Sequence, residues 1–241
     1  MLRGTHRATI RDARGRVAAR VAARNMVTTA GVNYALGAGF AGQAPITSWY
    51  VGMIVENRHV GDGAMTAGAA TLTSATAAFA AGDAGRQVTV FGAGAAGASL
   101  VTTIVAVVNA TTATMAANAG TTVSAAIVSI GPAFATADTT SAHPGWAEVG
   151  GAQVANATRP AWTPGAVSGG SVDDSAAQAL YTMAAGLAGI VYLHGLFLVS
   201  TNVLGAATGT LYSEAEFIAG AQAVQAGYQV SDTYTIQLIA G

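Results

Sequence analysis

The sequence contains no cysteine and no lysine, and only 9% of its 241 residues are charged. The absence of cysteine excludes disulfides, zinc sites built on thiolates and thiol catalysis. The low charge content predicts a surface of small neutral side chains, which protects a lone subunit poorly against association. The apolar share of 52% is still enough to fill a core. The composition therefore predicts a folded protein with few groups available for chemistry.

The few charges are distributed unevenly along the chain. Seven of the ten arginines and a single acidic residue, Asp12, lie in residues 1–24, whereas the rest of the chain has three arginines against ten acids. Arginine pairs with carboxylate or phosphate groups, so residues 1–24 are predicted to be an arm that binds an acidic partner. The residues assigned to anchoring are Arg3, Arg7, Arg11 and Arg14. The alternative is a solvated pair of strands that turns around residues 12–15.

Apolar periodicity predicts an all-β fold, a jelly-roll-like β-sandwich that carries a small inserted β-module. Runs of β-branched residues at 87–91, 100–108 and 234–239 are bounded by Gly, Asn and Asp, as is typical of strands. Helical periodicity is weak and confined to 28–36 and 213–219.

A change of composition marks the inserted module, because no residue from Gln87 to Ala137 is charged. We expect residues 71–130 to form this module, since insertions are tolerated at loops. Residues 25–70 together with 131–241 are expected to form the sandwich base that follows the arm.

Residues 180–201 carry no charge and are long enough for a membrane span. No Arg or Lys follows Arg159, however, and Gly and Thr interrupt the run. Two buried strands around 178–183 and 189–200 are the better prediction, and no membrane partner is expected.

Motifs for catalysis and cofactor binding are weak. Residues 92–97 (GAGAAG) fit a dinucleotide fingerprint, but a strand pattern follows and no acid is placed to hold a ribose, which favours a hairpin turn. The four histidines lie far apart in sequence, and the Asp173-Asp174 pair is interpreted as a turn. We therefore expect no cofactor, no metal and no enzymatic activity.

Two tryptophans are candidates for contact with glycans, because aromatic rings stack on sugar faces. Trp146 lies in the segment HPGWAE and Trp162 in the segment RPAWTPG. The alternative interpretation is structural: Trp146 anchors a loop ordered by Pro-Gly, and Trp162 closes the edge of the sandwich. In that interpretation Arg159 pairs with Glu148 or Asp173.

Six segments outside the module occur together in this chain: 25–31 (NMVTTAG), 49–54 (WYVGMI), 143–148 (HPGWAE), 159–165 (RPAWTPG), 169–171 (GGS) and 208–213 (TGTLYS). In combination they resemble a family of small structural proteins of tailed bacteriophages, found in virion gene clusters as head decoration, head fibre or tail-associated proteins. The segments 79–90, 92–97 and 102–108 in turn resemble a β-module of phage tail spikes.

The resemblance implies a non-enzymatic virion protein. The first expectation is a capsid decoration or cement subunit, a trimer bound to the major capsid protein on the exterior of the head. One alternative is a tail fibre or adaptor that docks on portal or tail proteins. Another is a carbohydrate-binding module for host recognition that uses Trp146 and Trp162. Nucleic acid is not an expected partner.

Overall fold

The structure, a computed structural model, describes residues 2–55 and 58–238. Nearly all regular structure in these residues is β, so the all-β prediction is confirmed. The strands in chain order are β1 Leu2–Arg11, β2 Val17–Val27, β3 Trp49–Val55, β4 Arg58–Met65, β5 Thr71–Thr73, β6 Gln87–Val90, β7 Leu100–Asn109, β8 Thr112–Met115, β9 Val123–Ile130, β10 Ala147–Glu148, β11 Ala161–Trp162, β12 Ser171–Asp173, β13 Ala179–Thr182, β14 Val191–Val199, β15 Leu211–Phe217, β16 Gln222–Val224 and β17 Gln229–Leu238. The α-helix α1 spans Thr29–Phe40.

The chain divides into two compact units. The larger unit comprises residues 2–55, 134–218 and 222–238, and the smaller comprises 58–133 with 219–221. The inserted module was predicted at 71–130, but in the structure it also includes β4. This strand carries Arg58, His59 and Asp62. The uncharged segment used to locate the module starts after β4 and therefore does not coincide with the start of the unit.

The smaller unit is a closed barrel of six strands in the order β4-β5-β8-β7-β6-β9. Its core consists mostly of alanine and β-branched residues, among them Val88, Ile104 and Val128. The glycine-rich segment 92–97 joins the antiparallel strands β6 and β7 through a short 3-10 turn, which confirms the predicted hairpin turn. This unit is called the barrel below.

The strands of the larger unit form one hydrogen-bonded sheet with the main order β10-β3-β14-β15-β2-β1-β17-β12. The two ends of this order meet across the core. The Tyr181 hydroxyl on β13, which pairs with β17, donates to the Val51 carbonyl on β3 at 2.9 Å. The Trp162 indole on β11, which pairs with β3, donates to the Tyr234 carbonyl on β17 at 3.1 Å. The sheet therefore folds over on itself, whereas the jelly-roll arrangement stays a prediction.

Residues 2–24 are not an arm, which corrects the predicted division at residue 24. Strands β1 and β2 form an antiparallel hairpin, and β1 also pairs with β17 along its whole length. Ala8 and Ile10 of β1 lie in the core of the larger unit together with Val21 and Ala23 of β2. The strand pair of the alternative interpretation is therefore present, but it is not simply solvated, because one of its faces is buried and it lies in the middle of the sheet.

The uncharged segment at 180–201 forms strands, as predicted. Strand β13 covers its start, and every residue of β14 is buried, which accounts for the lack of charge. Among the residues that the structure describes, no helix is long and apolar enough to cross a membrane.

Candidate partner-binding surface

The arginines of the β1-β2 hairpin lie on the outer face of the sheet. Side chains alternate between the two faces of a strand, so residues four apart share a face. Arg3, Arg7 and Arg11 of β1 are exposed, as are Arg20 and Arg24 of β2. The intervening His6, Ala8, Ile10, Val21 and Ala23 are buried on the opposite face. We call the outer surface of β17, β1 and β2 the basic face.

The pairing register keeps these arginines apart. Arg20 lies opposite Thr9, and Arg7 lies opposite Ala22 on one side and Thr233 on the other. Arg3 and Arg11 face Gln237 and Gln229 of β17. Like charges directly opposite each other destabilise a sheet, and in this register each of these arginines faces a neutral residue. The hairpin therefore presents several guanidinium groups without placing two directly opposite each other.

An open groove of about 550 Å³ crosses the basic face. Arg7 and Arg20 line it together with the hydroxyl groups of Thr5, Thr9 and Thr235. Asp173 also lines the groove, and its carboxylate accepts hydrogen bonds from the Ser175 hydroxyl and backbone N–H. The hydrogen bond from the Ser175 hydroxyl is the largest cause of the lowered pKa of Asp173. The groove thus offers a partner two cations, one carboxylate and several neutral polar groups.

Arg7 and Arg20 form no ion pair with any residue that the structure describes, whereas several other arginines do. Arg16 is 2.7 Å from Asp12 at the hairpin turn, and Arg86 is 3.0 Å from Asp83 in the barrel. The guanidinium groups of the groove are consequently available for carboxylates supplied from outside the chain.

Arg14 lies at the tip of the hairpin, apart from the other predicted anchors. Its backbone N–H donates to the Asp12 carboxylate at 2.9 Å, and Gly15 adopts a left-handed φ of 78° that closes the turn. The hydrogen bond from the Arg16 side chain to Asp12 lowers the pKa of that carboxyl.

Of the predicted anchors, Arg3, Arg7 and Arg11 lie on the basic face, and Arg14 lies beyond its end, at the hairpin turn. Arg20 and Arg24 also lie on the basic face but were not among the predicted anchors, although Arg16, Arg20 and Arg24 repeat the four-residue spacing of Arg3, Arg7 and Arg11.

Trp146 and Trp162 are buried, which corrects their assignment to glycan contact. Only 4% of Trp146 and 8% of Trp162 is exposed. The Trp146 indole N–H donates to the Glu214 carboxyl at 2.8 Å, and its ring stacks on His143 with 3.8 Å between centroids. The indole of Trp162 donates to a backbone carbonyl of β17. Both N–H groups thus find partners inside the protein, so the apolar rings fill the core rather than offering a platform for a sugar.

Arg159 forms a structural ion pair with Glu148, one of its two predicted partners. The guanidinium binds both carboxylate oxygens at 2.7 Å and donates to the Thr201 carbonyl at 2.8 Å. It also lies 5.3 Å from the centre of the Phe197 ring. Arg159 is 2% exposed, so this pair holds the 143–162 region against the sheet and does not face solvent.

Several titratable groups are buried in the larger unit. Burial, with a contribution from the neighbouring Asp138, raises the pKa of Glu214 to about 8. Burial also raises the pKa of Asp174 to about 6. His6 Nδ1 lies 2.6 Å from Asp232 Oδ2, and both residues are at most 2% exposed. No group of three or more metal-ligating side chains occurs in residues 2–55 and 58–238.

No family model, curated protein or solved structure matches this chain.

Proposed function

We propose that this chain is a non-enzymatic structural protein of a tailed-phage virion, a decoration subunit that binds the major capsid protein on the exterior of the head. The six segments that resemble phage structural proteins support this proposal from the sequence. The basic face supports it from the fold, because it is an exposed, regularly spaced set of cations on a hydrogen-bonded sheet. Such a face suits an attachment surface that needs no chemistry.

The observation that carries the proposal is the pair Arg7 and Arg20, which line one groove and have no ion-pair partner among the described residues. Guanidinium groups bind carboxylates through two parallel hydrogen bonds, which gives specificity as well as attraction. Complementary charge across an interface steers association and fixes its register. The partner surface is therefore expected to be rich in Asp and Glu.

A protein partner fits the basic face better than nucleic acid does. Asp173 lines the groove, and Glu216 of β15 is the cross-strand partner of Arg24. These carboxylates would repel a phosphate backbone, whereas a protein surface of mixed charge can place a cation or an amide against each of them. The neutral Thr and Gln side chains between the arginines also suit a protein surface. The tail adaptor alternative would use the same face at a different place on the particle.

The test is attachment of purified protein to particles that lack it, measured by co-sedimentation at increasing salt. We expect the double variant Arg7→Gln/Arg20→Gln to lose attachment by at least about tenfold, because two charge-assisted contacts are removed. The matched control is Ala106→Asp/Ala110→Asp, which changes the net charge equally at exposed positions of the barrel. The proposal fails if the arginine variant attaches as well as the control.

A further inference from the structure

The two arginines of the groove have a fixed spacing on the basic face. Arg20 of β2 lies opposite Thr9 of β1, and Thr9 is two residues along β1 from Arg7. Arg7 and Arg20 are therefore diagonal neighbours on adjacent antiparallel strands, and such neighbours are about 7–8 Å apart. Both side chains are exposed and line the groove. The groove thus presents two cations at a defined separation.

Asp173 supplies the opposite charge further across the groove. It pairs with Thr235 of β17, and Thr235 pairs with Thr5 of β1, which is two residues from Arg7. Asp173 therefore lies two strands and two residues away from Arg7. With strands about 4.8 Å apart and a rise of about 3.4 Å per residue, this separation is about 12 Å. The charges follow one diagonal direction across the sheet, in the order Arg20, Arg7, Asp173.

Neutral side chains that form hydrogen bonds line the groove around these charges. They are Thr5, Thr9, Thr233, Thr235 and Gln237. An extended chain leaves its backbone N–H and C=O groups open to such side chains, whereas a helix satisfies its own backbone groups internally. The composition of the groove therefore favours an extended segment over a helix.

We propose that the groove binds an extended segment of the partner protein that carries two acidic residues two positions apart and a basic residue four positions further along. Side chains of an extended chain alternate, so only residues an even number of positions apart face the groove together. Two positions span about 6.7 Å, which matches the spacing of Arg20 and Arg7, and four positions span about 13 Å, close to the separation of Arg7 and Asp173. This inference rests on the proposed function for its partner and specifies which part of that partner enters the groove.

The test is a chemical-shift titration of the isotope-labelled full chain with synthetic peptides at low ionic strength. The probes are three peptides of the same length and composition, with acetylated and amidated ends. TETETTTKT has the proposed pattern, TETKTTTET exchanges the lysine with the second glutamate, and TEETTTTKT places the glutamates side by side. We expect TETETTTKT to bind about tenfold more tightly than TETKTTTET, because the exchange replaces two attractions by two repulsions. TEETTTTKT is expected to be intermediate, since one of its glutamates points away from the groove.

A reversal of specificity tests the position of the basic residue. The variant Asp173→Arg is expected to bind the peptide TETETTTET more tightly than TETETTTKT, whereas the unmodified protein prefers TETETTTKT. The matched control is Ala106→Arg/Ala110→Arg, which changes the net charge equally at exposed positions of the barrel. This control should keep the preference of the unmodified protein.

Equal affinities of the unmodified protein for the three peptides would overturn the inference. It is also overturned if Asp173→Arg keeps the original preference, or if the control reverses it. Attachment of Arg7→Gln/Arg20→Gln to particles is a separate result. Loss of attachment without a peptide preference rejects the extended segment and retains attachment through the basic face. A peptide preference with undiminished attachment rejects the proposed function and retains the segment.

Discussion

Glu214 is a carboxyl group whose surroundings favour its neutral form. It is fully buried on β15, accepts one hydrogen bond from Trp146 and lies near the second carboxyl of Asp138. Burial disfavours charge and a neighbouring carboxylate adds repulsion, which together raise the pKa of Glu214 to about 8. The group is therefore mostly protonated at neutral pH in the folded protein.

This protonation predicts that the protein loses stability as the pH rises. An unfolded glutamate releases its proton near pH 4.5, whereas folded Glu214 holds it up to about pH 8. The stabilising contribution is complete below pH 4.5 and disappears as the pH passes through 8, with a slope of at most ~1.4 kcal/mol per pH unit. Asp174 acts in the same direction between pH 3.8 and about 6.

We expect Glu214→Gln to flatten the fall in the free energy of unfolding between pH 6 and 8, measured by denaturant titration at several pH values. Glutamine keeps an acceptor for the Trp146 indole but carries no proton that titrates in this range. The control is Asp62→Asn, because the hydrogen bond from Ser74 is the largest cause of the lowered pKa of Asp62, which therefore titrates below this range. An unchanged slope in Glu214→Gln would contradict the assignment.

At the residue scale, the sequence predicted contacts within a short stretch better than contacts between distant ones. It reduced the partner of Arg159 to two acids, and the true one, Glu148, lies 11 residues away. The partner of Trp146 lies 68 residues away, and nothing near the tryptophan in the sequence indicates that its N–H is satisfied inside the protein. The glycan-platform interpretation was wrong for that reason.

The β1-β2 hairpin shows what decides the position of an element. The alternation of His6, Ala8 and Ile10 with arginines has the period of a strand, and the turn at residues 12–15 is readable from Asp12 and Gly15. The main partner of β1, however, is β17 at the other end of the chain. A charge count over residues 1–24 cannot reveal that pairing, and it therefore suggested an arm.

Helical periodicity predicted only one of two segments correctly, because pairing with strands distant in sequence also decides whether a segment is helix or strand. It predicted a helix around 28–36, and the structure has α1, begun by the Thr28 hydroxyl that accepts the Gly31 N–H. It also suggested a helix at 213–219, where the structure has the buried strand β15. Tertiary pairing with β14 and β2 decides the state of that segment.

The docking of α1 depends on the absence of a side chain at Gly31. A Cβ there would overlap the backbone carbonyl of Tyr212 on β15, whereas Gly39 has open space around it. We expect Gly31→Ala to destabilise the protein by about 1–3 kcal/mol through overpacking. Gly39→Ala is expected to be neutral or to stabilise by up to about 1 kcal/mol, because alanine favours a helix.

Both glycine variants are compared with the unmodified protein by denaturant unfolding at the same protein concentration. Equal stability of the two variants would contradict the close approach of α1 to β15.

On the scale of the whole molecule, the arginines are concentrated on the surface where attachment is proposed. The basic face carries five of the ten arginines, and residues 25–55 carry no charge. The barrel is uncharged from Gln87 to the end of its continuous segment, which is consistent with close packing of many copies, because little desolvation of ions is required. The proposed attachment through the basic face leads to an expectation about the copy number of this chain in the particle.

That expectation is tested most directly by quantitative mass spectrometry of purified phage particles, which gives the ratio of this chain to the major capsid protein. A decoration subunit that attaches through the basic face should be present in a fixed ratio comparable to the copy number of the capsid lattice. Only a few copies per particle would contradict a role on the head and favour the tail, and absence from the particle would overturn the virion assignment.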